Sequence, residues 1–374
     1  MKLEEPIPIT KPTLPDIQEI LPKISEIFST RMITNHKYVK EFEERVAEYL
    51  GVEYAVAVSS CTSGMMLVIK SLGLKGNVIL PSFTFHATAH ALSWNGIELR
   101  FVDINPETLT IDPAKVEENI TPETSAICGV HTFGNPCNIK ALQKIADDHN
   151  IKLYFDAAHA FGSIFNNKHV GSFGNAEIFS LSPTKLLVTG EGGIVATNDP
   201  ELKKKLVIGR NYGDDGSYDC KFAGLNARME EFNAILGLSG LKNIERNILS
   251  RHQKVVLYKS LLSKVPGISF QKIEHQSRTT YKDFSININS DLFGLTRDEL
   301  SLKLMDAKIT TKKYFYPPVH KQRLYYKDGM KFDKDLPETN RIANNSLSLP
   351  LWSDMDENMV REICSKIISI REGL

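Results

Sequence analysis

The chain has 374 residues, of which 42% are hydrophobic, so it is long enough to bury a large core and to divide into two domains. Its 45 basic and 45 acidic side chains give a formal charge of zero, which argues against a general electrostatic surface for nucleic acid or a membrane. An anionic ligand would then need local basic residues, and Arg228, Lys312 and Lys313 are the candidates.

The cysteines and the first residues predict a cytoplasmic protein. Five cysteines are scattered without CxxC spacing, and their odd number fits neither a disulfide framework nor a zinc site. The start of the chain lacks the basic-then-apolar pattern of a signal peptide, and no apolar run approaches the ~20 residues that span a bilayer. We therefore expect no metal and no membrane partner.

Short apolar runs alternate with amphipathic stretches through the first half of the chain. A proline-rich segment of about thirty residues comes first and is predicted to lie as an arm on the body. The predicted strands that follow are 54–58, 77–80, 98–102, 126–130, 152–155, 176–181 and 193–197. Strands that alternate with helices predict a mostly parallel sheet with helices on both faces.

The second half of the chain has a different pattern. Apolar residues recur at helical spacing from about 229 to 264, a strand is predicted over 283–288, and a helical tail ends near Ile370. We therefore predict an α/β protein in which residues 1–245 form the arm and a large domain. Residues 246–374 are predicted to form a small α+β domain.

Small polar residues follow the first predicted strand, where Ser59, Ser60, Cys61, Thr62 and Ser63 precede a helix-like run. Backbone N–H groups, hydroxyls and the positive end of a helix dipole would meet there, which suits a phosphate group. Ordinary helix capping is the alternative interpretation.

A carboxylate and an amine follow two later strands. Asp156 ends one apolar run, and Lys185 lies in a Ser/Thr-rich and glycine-rich turn after another. Because functional groups gather at the carboxyl ends of parallel strands, both could face one crevice. An amine for a Schiff base and an acid for a pyridinium nitrogen suggest pyridoxal phosphate. A structural ion pair and a solvated lysine remain as alternatives.

These segments together resemble the DegT/DnrJ/EryC1/StrS family of aminotransferases that act on nucleotide-linked keto sugars. The resemblance runs from about residue 33 to the carboxyl terminus, with the segments in the family's order. They are VKEFE (39–43), VSSCTS (58–63), PSFTFHATA (81–89), FVDI (101–104), DAAH (156–159), TK with GEGG (184–185 and 190–193), GLNARM (224–229), YPPVH (316–320) and LSLPL (347–351).

The resemblance implies a fold-type I aminotransferase with a seven-stranded sheet domain, pyridoxal phosphate as cofactor and a homodimer with shared active sites. Lys185 would form the Schiff base, Asp156 would pair with the ring nitrogen, and His159 would lie near the phenolic oxygen. Lys185, Asp156 and His159 are thus the predicted catalytic residues.

The remaining cofactor contacts are also implied by the resemblance. Thr62, Ser63 and Ser180 would hold the phosphate, Phe85 would stack on the ring, and Asn226 would reach the phosphate from the other subunit. Cys61 departs from the family's usual glycine, which bears on the backbone of the phosphate turn. Phe85 could instead belong to the core.

We also consider His320 as a substrate-binding residue at the mouth of the site, with a simple exposed loop histidine as the alternative. The function implied is transfer of an amino group from L-glutamate to a nucleotide-linked deoxy-keto sugar, with C4 favoured over C3. A dehydratase branch of the family carries histidine at the position of Lys185. A regulator on the same fold is a further alternative, while a nicotinamide enzyme lacks support because no GxGxxG opens the first helix.

Overall fold

The computed structural model describes residues 5–374, in which helices and strands alternate along most of the chain. The strands are β1 (Tyr54–Val58), β2 (Asn77–Pro81), β3 (Glu98–Val102), β4 (Thr124–Val130), β5 (Lys152–Asp156), β6 (Ile164–Phe165), β7 (Lys168–His169), β8 (Ala176–Ser180), β9 (Gly193–Thr197), β10 (Ile268–Phe270), β11 (Ser277–Arg278), β12 (Phe284–Ile288) and β13 (Ser346–Leu349). The helices are α1 (Ile17–Thr30), α2 (Lys37–Leu50), α3 (Cys61–Ser71), α4 (His86–Trp94), α5 (Pro113–Glu117), α6 (Ile139–Asp148), α7 (Pro200–Gly209), α8 (Glu231–Lys242), α9 (Ile244–Leu262), α10 (Ser290–Phe293), α11 (Arg297–Asp306), α12 (Tyr326–Gly329), α13 (Pro337–Asn345) and α14 (Glu357–Glu372).

The large sheet has seven strands in the order β1-β9-β8-β5-β4-β2-β3. The pairs from β8 through β5, β4 and β2 to β3 are parallel, whereas β9 pairs antiparallel with both β8 and β1. Every residue of β2, β8 and β9 is buried, as expected for strands covered on both faces. The predicted mostly parallel α/β sheet is confirmed.

Helices cover both faces of this sheet because alternate strand residues point in opposite directions. Val195 of β9 packs in a core with residues of α3, α4 and α7. Its neighbour Ile194 packs in a second core with α2 and α8, and α6 covers the β4–β5 part of the same face. The strand ends between these layers are the part of the fold that positions the site.

The second half of the chain forms a smaller unit. Strands β10, β12 and β13 make a three-stranded antiparallel sheet, whose core includes residues of α9, α11 and α14. Helix α9 spans both units, since Ile248 packs in the core of the large sheet and Tyr258 in the core of the small one. The domain boundary after residue 245 therefore stays a prediction, and it falls within a continuous helix.

The structure adds detail to the predicted arm and to the helical segment predicted after residue 229. The arm contains α1, which includes Pro22. Asp16 caps this helix, since its side chain accepts a hydrogen bond from the Gln18 N–H. The helical segment after residue 229 is divided at Asn243 into α8 and α9.

Candidate active site

A cavity of about 410 Å³ lies at the carboxyl ends of the parallel strands, where the small unit closes against the large sheet. Its walls come from the segments after β1, β2, β4, β5 and β8, together with Lys282, Tyr314 and Phe315 of the second half of the chain. Open α/β sheets bind ligands at this edge because loops from several strands converge there.

The amino end of α3 forms one end of the cavity. Ser60 caps the helix, since its side chain accepts a hydrogen bond from the Ser63 N–H at 3.1 Å and the Ser63 hydroxyl accepts one from the Ser60 N–H at 3.1 Å. Ser60 and Thr62 line the cavity, whereas the Ser63 hydroxyl is used in this capping box. Polar groups and the helix dipole thus converge on one point, as an anion site requires.

Two residues keep this turn in place. A side chain at Gly193 would place its Cβ 2.6 Å from the backbone nitrogen of Cys61, so only glycine lets β9 approach so closely. Cys61 itself adopts helical geometry and packs in the core, with its thiol 3.7 Å from the Ile178 carbonyl. The departure at Cys61 therefore leaves the turn unstrained.

Asp156 ends β5 with a side chain that is 5% exposed. One carboxylate oxygen accepts a hydrogen bond from the Thr88 hydroxyl at 2.6 Å, and the other accepts one from the Ala158 N–H at 3.0 Å. Thr84, whose hydroxyl lies 2.8 Å from that of Thr88, extends this network to the cavity wall. A carboxylate held in this way can accept one further hydrogen bond from a cationic N–H in the cavity.

Lys185 reaches the same cavity from the turn after β8, where its N–H donates to the Ser182 carbonyl at 2.9 Å. Burial, followed by the positive charge of Lys282, lowers the pKa of its amine to about 8. Asp283, Cys61 and Asp156 act in the opposite direction. The amine is therefore available as a nucleophile or base close to neutral pH.

His159 lines the cavity next to Asp156. Its Nδ1 accepts a hydrogen bond from the Phe133 N–H at 3.3 Å, and burial, followed by the charges of Lys185 and Lys282, holds its pKa well below the usual range. The ring is thus a neutral imidazole that can donate from Nε2.

Phe85 and Ser180 are also brought to the cavity. Phe85 precedes α4 and is 48% exposed, so it forms a rim rather than part of the core. Ser180 ends β8, and its hydroxyl lies 3.3 Å from that of Ser182. These positions agree with the predicted stacking of Phe85 on the cofactor ring and with the predicted contact of Ser180 with the cofactor phosphate.

Besides Ser63, whose hydroxyl is used in the capping box, two predicted site residues do not line the cavity. His320 is fully buried, with Nδ1 2.7 Å from the Ser82 hydroxyl and Nε2 3.1 Å from the Asp333 carboxylate, so it connects two segments and does not reach the cavity. We therefore assign it a structural role instead of the predicted substrate contact. Asn226 is exposed beside Asn211 and does not line the cavity of its own chain.

The basic candidates have different surroundings. Arg228 donates to the Asn211 side chain at 2.8 Å, and Lys313 forms a 2.6 Å ion pair with Asp298. Lys312 and Lys313 border a second cavity of about 430 Å³, which shares Phe85 and its neighbours with the first.

Sequence reasoning missed Thr88 and Lys282. Thr88 lies inside α4, where its hydroxyl faces the Asp156 carboxylate, and Lys282 precedes β12 and reaches the cavity from the small unit. A threonine on a helix carries no recognisable signal. The position of Lys282 just before an apolar strand indicated only where that strand begins, and not that its side chain reaches the cavity.

Residues 5–374 contain neither a membrane-spanning helix nor a cluster of metal ligands. No helix in that range is long and apolar enough to cross a membrane. No group of three or more histidine, cysteine or acidic side chains in the same range is arranged to hold a metal ion.

The donor set of the cavity fits pyridoxal phosphate. Lys185 offers an amine for the aldehyde, and Asp156 offers a buried carboxylate for the ring nitrogen. Ser60, Thr62 and Ser180 surround an anion-binding helix end for the phosphate. The aldehyde, the ring nitrogen and the phosphate of the cofactor would therefore each meet a suitable residue in this cavity.

Comparisons with known proteins agree with this geometry. Two relatives named dTDP-4-amino-4,6-dideoxy-D-glucose transaminase, from Shigella dysenteriae and Escherichia coli, are 35% and 34% identical to the chain. The alignments cover 99% and 98% of this chain and 100% and 99% of the relatives. A crystal structure of DesI, determined in the presence of its TDP-sugar product, has a TM-score of 0.92 and 33% identity over 99% of this chain and 94% of that one.

The likeness to solved aminotransferases confirms the predicted fold type I. The model of the DegT/DnrJ/EryC1/StrS aminotransferase family matches residues 15–368, which is nearly the whole chain. With a lysine, a carboxylate and the amino end of α3 at one cavity, the protein is a pyridoxal-phosphate-dependent sugar aminotransferase that belongs to the DegT/DnrJ/EryC1/StrS family.

Proposed function

We propose that the enzyme moves an amino group from L-glutamate to the C4 keto group of a dTDP-linked 6-deoxy sugar. The observation that carries the proposal is the convergence of Lys185 and Asp156 on one cavity. The choice of C4 and of thymidine diphosphate is supported by the names of the two relatives, and the TDP-sugar bound by DesI agrees with the nucleotide. A cytoplasmic location stays a prediction from the sequence.

When bound, pyridoxal phosphate supplies an electron sink for the carbon next to the transferred nitrogen. Lys185 would form the Schiff base with the cofactor and would carry the proton that leaves the α-carbon of the amino donor, because its amine has a pKa of about 8 and lines the cavity. The same amine moves a proton at sugar C4 in the second half of the reaction.

Asp156 would accept a hydrogen bond from the ring nitrogen of the bound cofactor. Its carboxylate is fixed by the Thr88 hydroxyl and the Ala158 N–H, so it does not have to reorganise when charge develops on the ring. His159 lines the same cavity, and its neutral ring would donate a hydrogen bond to the phenolic oxygen of the bound cofactor.

We further propose a homodimer in which Asn226 enters the site of the partner subunit. Asn226 is exposed and lies away from the cavity of its own chain. On α1, Ile17, Leu21 and Phe28 expose large apolar side chains, which favours a partner surface at this end of the molecule.

Lys185 also separates transamination from the alternatives. A dehydratase of this family would carry histidine at that position, and a regulator would not need the amine. The residue present is the one that transamination requires.

Product analysis tests the proposal. The protein is incubated with pyridoxal phosphate, L-glutamate and either a dTDP-linked 4-keto-6-deoxy sugar or its 3-keto isomer, and proton NMR of the purified product locates the new amine. We expect the amine at C4, with no product from Lys185→Ala. Amination of the 3-keto isomer alone would contradict the C4 assignment, and no amination of either sugar would contradict the proposed substrate class.

A further inference from the structure

The cavity contains a buried cation that the chemistry described above does not use. Of the described residues that line the cavity, Lys185 and Lys282 are the two with a lysine or arginine side chain. Lys185 is committed to the cofactor and to proton transfer. Lys282 is therefore the remaining fixed positive charge next to the reacting atoms.

Lys282 is held firmly by the small unit. Its side chain is 4% exposed, its N–H donates to the Phe133 carbonyl at 3.0 Å, and its carbonyl accepts from the buried Arg251 guanidinium at 3.1 Å. The ammonium lies 5.3 Å from the centre of the Tyr314 ring. Such a position fixes the charge before any ligand arrives.

The partner of this ammonium leaves it able to bind another anion. The two carboxylate oxygens of Asp283 lie 2.9 and 3.0 Å from the Lys282 nitrogen, and Asp283 does not line the cavity. An ammonium carries three N–H donors, so a carboxylate in the cavity can share it with Asp283.

The positive charge of Lys282 is felt at the centre of the site. It is one of the charges that lower the pKa of Lys185 and of His159. An anion bound at Lys282 would therefore lie within electrostatic reach of the amine that moves protons.

The two substrates differ in what they bring to this place. The α-carboxylate of an amino acid is one bond from the carbon that carries the amine, so it must lie near Lys185. The diphosphate of a nucleotide sugar is attached at C1, across the ring from C4, so it lies away from the reacting carbon. A fixed cation beside Lys185 thus suits the amino donor.

We propose that Lys282 binds the α-carboxylate of the amino donor, with Asp283 as the residue that holds it in place. This inference rests on the proposed function, since it takes an α-amino acid as the donor. The second substrate is expected to bind without Lys282.

Calorimetric titration of the cofactor-loaded enzyme with glutarate, a dicarboxylate that cannot react, tests the assignment. Because Lys282→Met alone leaves Asp283 buried without its partner, the decisive variant is Lys282→Met/Asp283→Asn. We expect its dissociation constant for glutarate to rise about tenfold or more, while Lys282→Arg largely restores binding. The KM for the keto sugar should stay close to that of the wild type.

A matched control is Lys254→Met. Lys254 is also a buried lysine, but it lies in α9 and donates hydrogen bonds to Ser250 and Ser353. This variant should bind glutarate as the wild type does. If the double variant binds glutarate within about twofold of the wild type while L-glutamate still changes the cofactor absorbance of the wild type, only the role of Lys282 is overturned. If the wild type neither binds glutarate nor responds to L-glutamate, the amino donor itself is wrong and the inference fails with it.

Discussion

At the scale of single residues, the reactivity of the site comes from where its charges are buried. Lys185 is brought into the cavity by the turn after β8, and burial together with Lys282 lowers its pKa. The Asp156 carboxylate is fixed in the same cavity by hydrogen bonds from the Thr88 hydroxyl and the Ala158 N–H. An amine and a carboxylate with different solvation can thus perform separate tasks in one cavity.

The pKa of Lys185 leads to a labelling prediction. Only the neutral amine of Lys185 reacts with acetic anhydride, so its labelling in cofactor-free protein should rise with pH. Labelling should reach half its maximum at a pH of about 8, instead of at 10.5, the ordinary pKa of a lysine. In Lys282→Met/Asp283→Asn, the loss of the positive charge, whose effect on Lys185 exceeds that of Asp283, favours the protonated amine and should move the midpoint upward. Peptide mass spectrometry measures both titrations, and a wild-type midpoint near 10.5 would contradict this view of the site.

The sequence predicted the residues whose chemistry marks a strand end, and it could not predict those that act through distant contacts. Asp156 and Lys185 each follow an apolar run, which makes them recognisable. The burial of His320 away from the cavity could not be predicted, because its environment is made by Ser82 and Asp333, which local sequence does not bring together. The same limit explains why Lys282 was missed.

At the scale of elements, the site depends on the close approach of strand β9 to the first turn of helix α3. The seven strands of the sheet were predicted within about two residues at each end, since runs of apolar β-formers between polar turns define them. The sheet was predicted only as mostly parallel, and the order of its strands was not predicted, because β9 and β1 pair across more than a hundred residues. The contact between Gly193 and Cys61 depends on that pairing.

Gly193→Ala should therefore damage the phosphate end of the cavity. The new methyl group would lie within 3 Å of the backbone of Cys61, and backbone cannot give way as a side chain can. We expect cofactor affinity to fall roughly tenfold or more, together with a lower melting temperature. Equilibrium binding of pyridoxal phosphate measures the first effect and calorimetry the second.

Gly373→Ala is the matched control, since this glycine has φ −88° at the end of α14 and its Cβ would lie 3.3 Å from the Ser369 carbonyl oxygen and 4.0 Å from that of Ile370. It should bind the cofactor normally. Wild-type affinity in Gly193→Ala would show that the turn can shift without loss of the phosphate site.

At the scale of the whole molecule, the proposed dimer would complete a site to which each chain contributes an incomplete set. Lys185, Asp156 and Thr62 come from one chain and meet in its own cavity, whereas Asn226 lies on the exterior. The sequence predicted this arrangement only through the family resemblance, because nothing in a single chain's pattern specifies which surface meets a partner.

Mixed dimers test the shared site. Asn226→Ala homodimers should bind the cofactor weakly and turn over slowly, and Lys185→Ala homodimers should be inactive. When the two variants are combined in one dimer, the site that keeps Lys185 receives an intact Asn226 from its partner, so about one wild-type site should return. Activity that stays at the level of the Asn226→Ala homodimer would show that Asn226 serves its own chain or no site at all.

The most direct test of the central claim is the absorbance spectrum of the purified protein with pyridoxal phosphate, recorded before and after addition of L-glutamate. We expect a visible band that depends on Lys185, is absent from Lys185→Ala and gives way to absorbance at shorter wavelength when the cofactor receives the amino group. The same band in Lys185→Ala would contradict the assignment of the amine. A wild-type band that L-glutamate leaves unchanged would contradict L-glutamate as the amino donor.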